Sequence, residues 1–166
     1  MKESIRVAKI CSQFAKHLDL QGNVVVHLRW GALLHDIGFI AIPDSIINKV
    51  SPLTAQETKK MHTHPTIARE LLTYCTAFRI ASEIPSYHHE RWDGKGYPYK
   101  LKGERIPYLA RLYSVVDAYD SMTFPRPYKK TLSKEEAIKE LQKGAGSQFD
   151  PYFVKNFIEM LNNKTI

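Results

Sequence analysis

At 166 residues, with 43% hydrophobic and 25% charged composition, the chain has the length for one ordinary globular domain with a proper core and is short for a second. Two isolated cysteines, Cys11 and Cys75, exclude a disulfide framework or zinc ribbon, and with no apolar run near the roughly 20 residues that span a bilayer and no signal-peptide core after Met1-Lys2-Glu3-Ser4, the expectation is a soluble, cytoplasmic protein without a membrane segment. The net charge of +7 is spread over Lys59-Lys60, Lys100-Leu101-Lys102 and Lys129-Lys130; it attracts anions generally but lacks the basic stripe with stacking groups that DNA or RNA binding needs.

Along the chain, period-2 alternation is scarce and no repeat occurs, so the fold class is all-α. A first helix is predicted over about residues 4–18, with Ile5, Ala8, Ile10/Cys11, Phe14 and Leu18 as its apolar face, and a second over about 22–36. Ile42-Pro43-Asp44-Ser45 starts a short turn or helix. Thr54, with Glu57 three residues on, is a capping box for a third helix, which carries Glu57, Met61 and His64 on one side. Pro65 interrupts that helix and opens a further segment to about 73, because proline is tolerated in a first turn but not in an interior. A helix over about 77–90 should be kinked near Pro85. Residues 91–107 contain three glycines and two prolines and read as a long ordered loop of the functional kind. An apolar helix over about 107–122 carries Asp117 and Asp120 on one face. Ser133-Lys134-Glu135-Glu136 caps a helix to about 143, and Asp150-Pro151 opens a last one to about 162.

The chemistry centres on Leu33-Leu34-His35-Asp36-Ile37-Gly38. Val25, Leu28 and Ala32 set a helical stripe that brings His35 onto the buried face. His35 and Asp36 point about 100° apart, so both can reach an ion at the helix end, where Gly38 permits a closing left-handed turn. A core histidine hydrogen-bonded to a capping aspartate is the alternative. Further ligand-type residues stand at His64, the tandem His88-His89, and Asp117, a carboxylate among apolar neighbours that must be paired, protonated or metal-bound. His64 can also be read as a cap beside Pro65, and His88-His89 as a polar helix end. His62 lies about 200° from His64 on a helical projection and is expected to face solvent. Four imidazoles and two carboxylates exceed one tetrahedral zinc and are too rich in nitrogen for magnesium or calcium alone. The mixture suits iron or manganese, with zinc, nickel or cobalt as alternatives, in a pair sharing a bridging carboxylate of the kind that serves phosphoester hydrolysis.

With these motifs in place, the sequence resembles the HD-GYP branch of the HD-domain phosphohydrolases, helical bundles that hydrolyse cyclic di-GMP. The resemblance runs from about Ser4-Ile5-Arg6-Val7 to Phe149-Asp150-Pro151, and so treats residues 1–166 as one domain. It rests on His35-Asp36-Ile37-Gly38, Ile42-Pro43-Asp44, Met61-His62-Thr63-His64-Pro65, the run His88-His89-Glu90-Arg91-Trp92-Asp93-Gly94-Lys95-Gly96-Tyr97-Pro98, Val116-Asp117-Ala118-Tyr119-Asp120 and Arg126-Pro127-Tyr128. It implies two divalent transition metals, with Asp36 bridging, His64, His88 and His89 completing one site, and His35 with Asp117 serving the other. It also implies dinucleotide contacts from Gly96, Tyr97, Asp120, Arg126 and Lys129, and hydrolysis of cyclic di-GMP to linear pGpG or GMP by metal-activated water, with His35 and Asp36 at the catalytic centre.

Two positions depart from the family pattern. Phe39 stands where the family has a lysine near the scissile phosphate, and Glu3 where it has a first histidine ligand; a third metal's acidic ligand would lie before Met1. Glu3 is retained as a weaker ligand candidate. The departures favour an alternative reading, a module that binds metal and dinucleotide but signals through protein contacts with a diguanylate cyclase domain or an upstream sensor domain.

Overall fold

A computed structural model of the chain describes residues 2–125 and 131–163. Among the described residues all regular structure is helical: α1 (Lys2–His17), α2 (Asn23–Leu34), α3 (Asp44–Ile47), α4 (Ala55–Met61), α5 (His64–Thr73), α6 (Glu83–Tyr87), α7 (Tyr108–Thr123), α8 (Lys134–Gly144) and α9 (Pro151–Asn163), with 3-10 turns at Ile37–Ala41, Thr76–Phe78 and Gly103–Arg105. The all-α class read from the sequence is what the chain forms.

Local signals set most of the boundaries. Thr54 and Ser133 each accept the N–H of the residue three on, Glu57 and Glu136, whose carboxylates bond back to the cap N–H; both are closed capping boxes. Asp150 accepts the Tyr152 N–H at 2.9 Å where α9 begins at Pro151.

Helix α7 is the axis. Leu109, Leu112, Tyr113, Val115 and Val116 are buried on it, and a helix apolar on so many sides must be surrounded. It touches α1, α2, α6, α8 and α9. The core is closed by Phe14 of α1, which meets Phe153 and Phe157 of α9 edge-on at 6.2 and 5.0 Å between ring centres. At the far end of α7 the buried Asp120 accepts both Nε and Nη2 of Arg6, and the Arg6 guanidinium lies 3.4 Å from the centre of the Phe124 ring. That clamp fixes the start of α1 against the end of α7.

Two expectations change. The predicted helix over about 77–90 is a 3-10 turn followed by α6, only five residues long, with Pro85 at its third position. Proline lacks the N–H and crowds the preceding turn, so the helix begins just ahead of it instead of bending around it. The apolar stretch Asn23–Ala41 has the length and composition of a spanning helix. It is nevertheless split at His35-Asp36 into α2 and a 3-10 turn, and α2 packs its buried residues against α1 and α6.

Candidate metal centre

Three backbone segments converge: the end of α2 brings His35 and Asp36, the start of α5 brings His64, and the end of α6 brings His88 and His89. In three of the imidazoles Nδ1 faces a main-chain carbonyl: Ala32 for His35 at 2.9 Å, Met61 for His64 at 2.9 Å, and Ile84 and Pro85 for His88, both at 3.1 Å. A carbonyl only accepts, so Nδ1 carries the hydrogen and donates it. In His64 and His88 that leaves Nε2 of the neutral ring as a bare lone pair aimed inward, the arrangement that orients metal-ligating histidines; His35 Nε2 instead faces the Asp36 carboxylate, to which it donates.

Burial keeps His64, His88 and His89 neutral. His64 is pushed below the ordinary histidine range by desolvation, His88 far below it by desolvation and then by its neighbouring imidazoles, and His89 to about 3 by desolvation and then by the neighbouring His64 imidazole. His64 Nε2 and His88 Nε2 then face each other at 3.5 Å with no proton to share. Donor atoms of His64, His88 and His89 lie within 4.8 Å of one another. Two opposed lone pairs in a dry site repel unless a cation sits between them. The donor set therefore fits a transition metal, which three imidazoles suit.

Asp36 spans the two halves of the cluster. One carboxylate oxygen is 2.9 Å from His35 Nε2, and the other is 4.0 and 3.9 Å from the Nε2 atoms of His64 and His88. Burial opposes ionisation of Asp36, but the hydrogen bond and charge of His35 outweigh it and hold the carboxyl below its usual range. Burial likewise opposes charge on His35, yet the Asp36 hydrogen bond and charge, with Asp117 behind them, raise it. Tyr113 joins Asp117 to this side: its hydroxyl is 3.4 Å from Asp117 Oδ1 and its ring 5.4 Å from that of His35.

Two glycines bring the segments this close. A Cβ on Gly38 would lie 1.9 Å from the His64 carbonyl oxygen, and one on Gly96 2.4 Å from the Arg91 nitrogen and 2.5 Å from the His89 oxygen. Gly38 has no positive φ. The expected left-handed turn is thus replaced by a 3-10 turn, and the glycine is needed for close approach. The 91–107 loop is ordered, as its composition suggests. The buried Glu90 carboxylate accepts the N–H groups of Tyr99 at 2.7 Å and Leu101 at 3.0 Å, and the Tyr97 N–H donates to the His89 oxygen at 3.2 Å. Beside the histidines runs a cleft of ≈ 600 Å³, lined among others by His88, His89, Arg91, Lys95, Tyr97 and Asp117.

The family model of the HD domain matches residues 1–153. The chain belongs to the HD domain family. It is 36% identical over 157 residues to a cyclic di-GMP phosphodiesterase of Thermotoga maritima, covering 93% of this chain and 43% of that protein. It is 37% identical to one of Pseudomonas aeruginosa, covering 94% and 38%, and 35% identical to a 3'3'-cGAMP-specific phosphodiesterase of Vibrio cholerae, covering 93% and 30%. The chain thus spans less than half the length of these relatives. Its fold is shared with an HDG"Y"P protein from Bdellovibrio bacteriovorus, at a TM-score of 0.75 and 21% identity, over 96% of this chain and 51% of the other.

The HD domain brings six of the sequence-read positions together: His35, Asp36, His64, His88, His89 and, through Tyr113, Asp117. Gly96 and Tyr97 line the adjoining cleft. Asp120 is 1% exposed, and its carboxylate is held by Arg6. Glu3 lies in the first turn of α1, where its charge acts on Arg6, and among the described residues it is not part of the histidine cluster. Arg126 and Lys129 lie outside the described residues. Phe39 stacks on His64, ring centres 4.2 Å apart at 24°. His62 is exposed but not isolated: it stacks on Tyr97 at 3.8 Å and 10°. The helical projection missed this because α4 ends at Met61, and 100° per residue no longer holds across the break before His64.

Proposed function

We propose that this HD domain is a metal-dependent phosphodiesterase for a cyclic dinucleotide, cyclic di-GMP first, releasing linear pGpG or GMP. The observation that carries the proposal is the pair of proton-free Nε2 atoms of His64 and His88 opposed across a carboxylate of Asp36 that also reaches His35. His64, His88, His89 and Asp36 would hold one ion, and His35, Asp36 and Asp117 a second; iron or manganese suits the donors best, zinc, nickel or cobalt less well. When bound, such ions supply activated water at neutral pH and positive charge against a phosphate. The protein's own part is to keep His64, His88 and His89 neutral, to exclude water around the buried His64 and His88, and to place Gly96, Tyr97 and Lys95 along the cleft. Arg126 and Lys129 would add charge against the phosphates. The names of the relatives favour cyclic di-GMP, with 3'3'-cGAMP as the neighbouring substrate.

Phe39 favours a second reading. A phenyl ring stacked on His64 supplies neither a proton to a leaving oxygen nor charge to a phosphate, where the resembling family has a lysine. A module that binds metal and nucleotide and signals to a cyclase or sensor domain would tolerate that. The test is single-turnover hydrolysis of cyclic di-GMP by manganese-loaded wild type, Phe39→Lys and Asp36→Ala. Slow wild-type turnover, acceleration by Phe39→Lys within the roughly 10²- to 10⁴-fold range of general acid catalysis, and an inert Asp36→Ala are expected. Wild type and Phe39→Lys both as inert as Asp36→Ala, with metal and nucleotide bound, would replace the enzyme by the binding module.

A further inference from the structure

His89 is held differently from the other imidazoles of the cluster. His35, His64 and His88 each have a carbonyl on Nδ1. Among the described residues no hydrogen-bond partner meets either ring nitrogen of His89; its ring is bounded by His88 at 4.0 Å, Tyr97 at 4.6 Å and the edge of His64 at 5.0 Å. The Tyr97 contact is nearly parallel, at 17°. On Tyr97 a second ring, His62, lies at 3.8 Å and 10°. Two parallel rings so close to one tyrosine would overlap if they shared a face, so His62 and His89 cover opposite faces of Tyr97.

We infer that His62 is a positioning residue: by backing Tyr97 it fixes the orientation of His89, so that an aromatic stack does for this ligand what main-chain carbonyls do for the other three. Each layer has its own anchor. His62 sits in the break between α4 and α5, where its N–H donates to the Thr58 oxygen at 2.9 Å and the Thr63 hydroxyl to the Lys60 oxygen at 2.7 Å. Tyr97 is tied to the main chain of His89 itself. With both faces covered, Tyr97 meets a ligand in the cleft through its edge and hydroxyl, and it is not a platform on which a base stacks. The inference rests on the reading of His89 as a metal ligand.

Cobalt(II) is the probe, because its visible absorption reports ligand geometry as well as affinity. Wild type, His62→Ala and His62→Phe are titrated with Co²⁺ against a competing chelator, and each apo protein is melted. His62→Ala is expected to weaken Co²⁺ binding about three- to tenfold, the size of an aromatic pair contact, and to shift the absorption band while the apo melting temperature stays that of wild type. His62→Phe keeps a ring over Tyr97 and restores both affinity and band. A His62→Ala protein that binds Co²⁺ as wild type does, or a His62→Phe protein as impaired as His62→Ala, overturns the inference while leaving the metal centre standing. Wild type that binds no Co²⁺ overturns both.

Discussion

Gly38→Ala tests the joint on which the centre depends. The added Cβ would lie 1.9 Å from the His64 carbonyl oxygen, 2.8 Å from its carbon and 3.0 Å from the Ala68 nitrogen, all backbone atoms that cannot rotate away. A carbon and an oxygen rest at about 3.3 Å or more, so the 3-10 turn and the start of α5 must separate by about 1.4 Å. Overpacking of this kind costs roughly 1–3 kcal/mol, and backbone on both sides puts the cost near 3. The gain from a less flexible unfolded chain, about 0.4–1 kcal/mol, does not offset it. The same shift acts on function. His64 Nε2 and His88 Nε2 stand 3.5 Å apart, and two metal–nitrogen bonds of about 2.1 Å span at most about 4.2 Å; the part of that shift directed away from His88 need only reach about 0.7 Å to exceed this span. Urea denaturation and Co²⁺ titration of Gly38→Ala should therefore show both losses. Gly22→Ala, at a φ of 64° and ψ of −137° with no atom within 4 Å of the new Cβ, should show only a strain cost of about 1–3 kcal/mol and unchanged metal binding. A Gly38→Ala protein as stable as wild type, with wild-type Co²⁺ affinity, refutes the close approach.

Arg6→Ala strands the Asp120 carboxylate at 1% exposure and is expected to cost about 2–4 kcal/mol in urea denaturation; a change below about 0.5 kcal/mol would return Asp120 to the pool of ligand contacts. Lys49, then the Thr54 N–H, hold the Glu57 carboxyl down to about 2. Because this folded value lies below the unfolded one of about 4.3, the contribution is complete above that pH and is lost as pH falls through about 2. In Lys49→Ala the Glu57 side-chain carbon should titrate at higher pH by NMR, and an unmoved titration would exclude Lys49 as the cause. Thr54→Ala opens the capping box at the start of α4 and should cost about 1 kcal/mol, read from thermal unfolding.

What was legible in the sequence was local. Capping boxes at Thr54 and Ser133, proline starts at Pro65 and Pro151, and the apolar run of α7 are decided within a few residues, and each formed where it was read. The ligand-type residues were legible because histidine and aspartate on apolar faces are costly without a partner, wherever that partner lies. The misreadings share a cause. Gly38 reads as a left-handed turn because sequence shows the conformational use of glycine but not the carbonyl of His64 that would strike a Cβ. Asp120 is expected at the dinucleotide through the family resemblance, and nothing local in the sequence shows that Arg6, 114 residues away, takes its charge. His62 is exposed, as the helical projection expects, but the projection does not show the Tyr97 ring stacked on it, and Glu90, which organises the loop through backbone N–H groups, has no signature beyond its place after two histidines.

The enzyme and the binding-module readings share every residue of the cluster and part at Phe39. Its phenyl ring stacks on His64 at 24°, and Tyr97 stacks on His89 at 17°, so two of the three histidines that can share one ion are each backed by an aromatic face. A lysine at position 39 would set an ammonium against a neutral imidazole, opposing bound cations by like charge while offering a proton to a departing oxygen. Phenylalanine does the reverse: it lowers the local polarity around His64, which favours the neutral, ligating form, and withdraws the proton donor. The physical expectation is a centre that holds its metals at least as tightly as a lysine-bearing relative but passes protons poorly. Affinity and turnover then move in opposite directions under Phe39→Lys. A protein in which that exchange lowers Co²⁺ affinity and raises hydrolysis carries a working centre slowed at one step; one in which affinity falls and hydrolysis stays absent is the binding module.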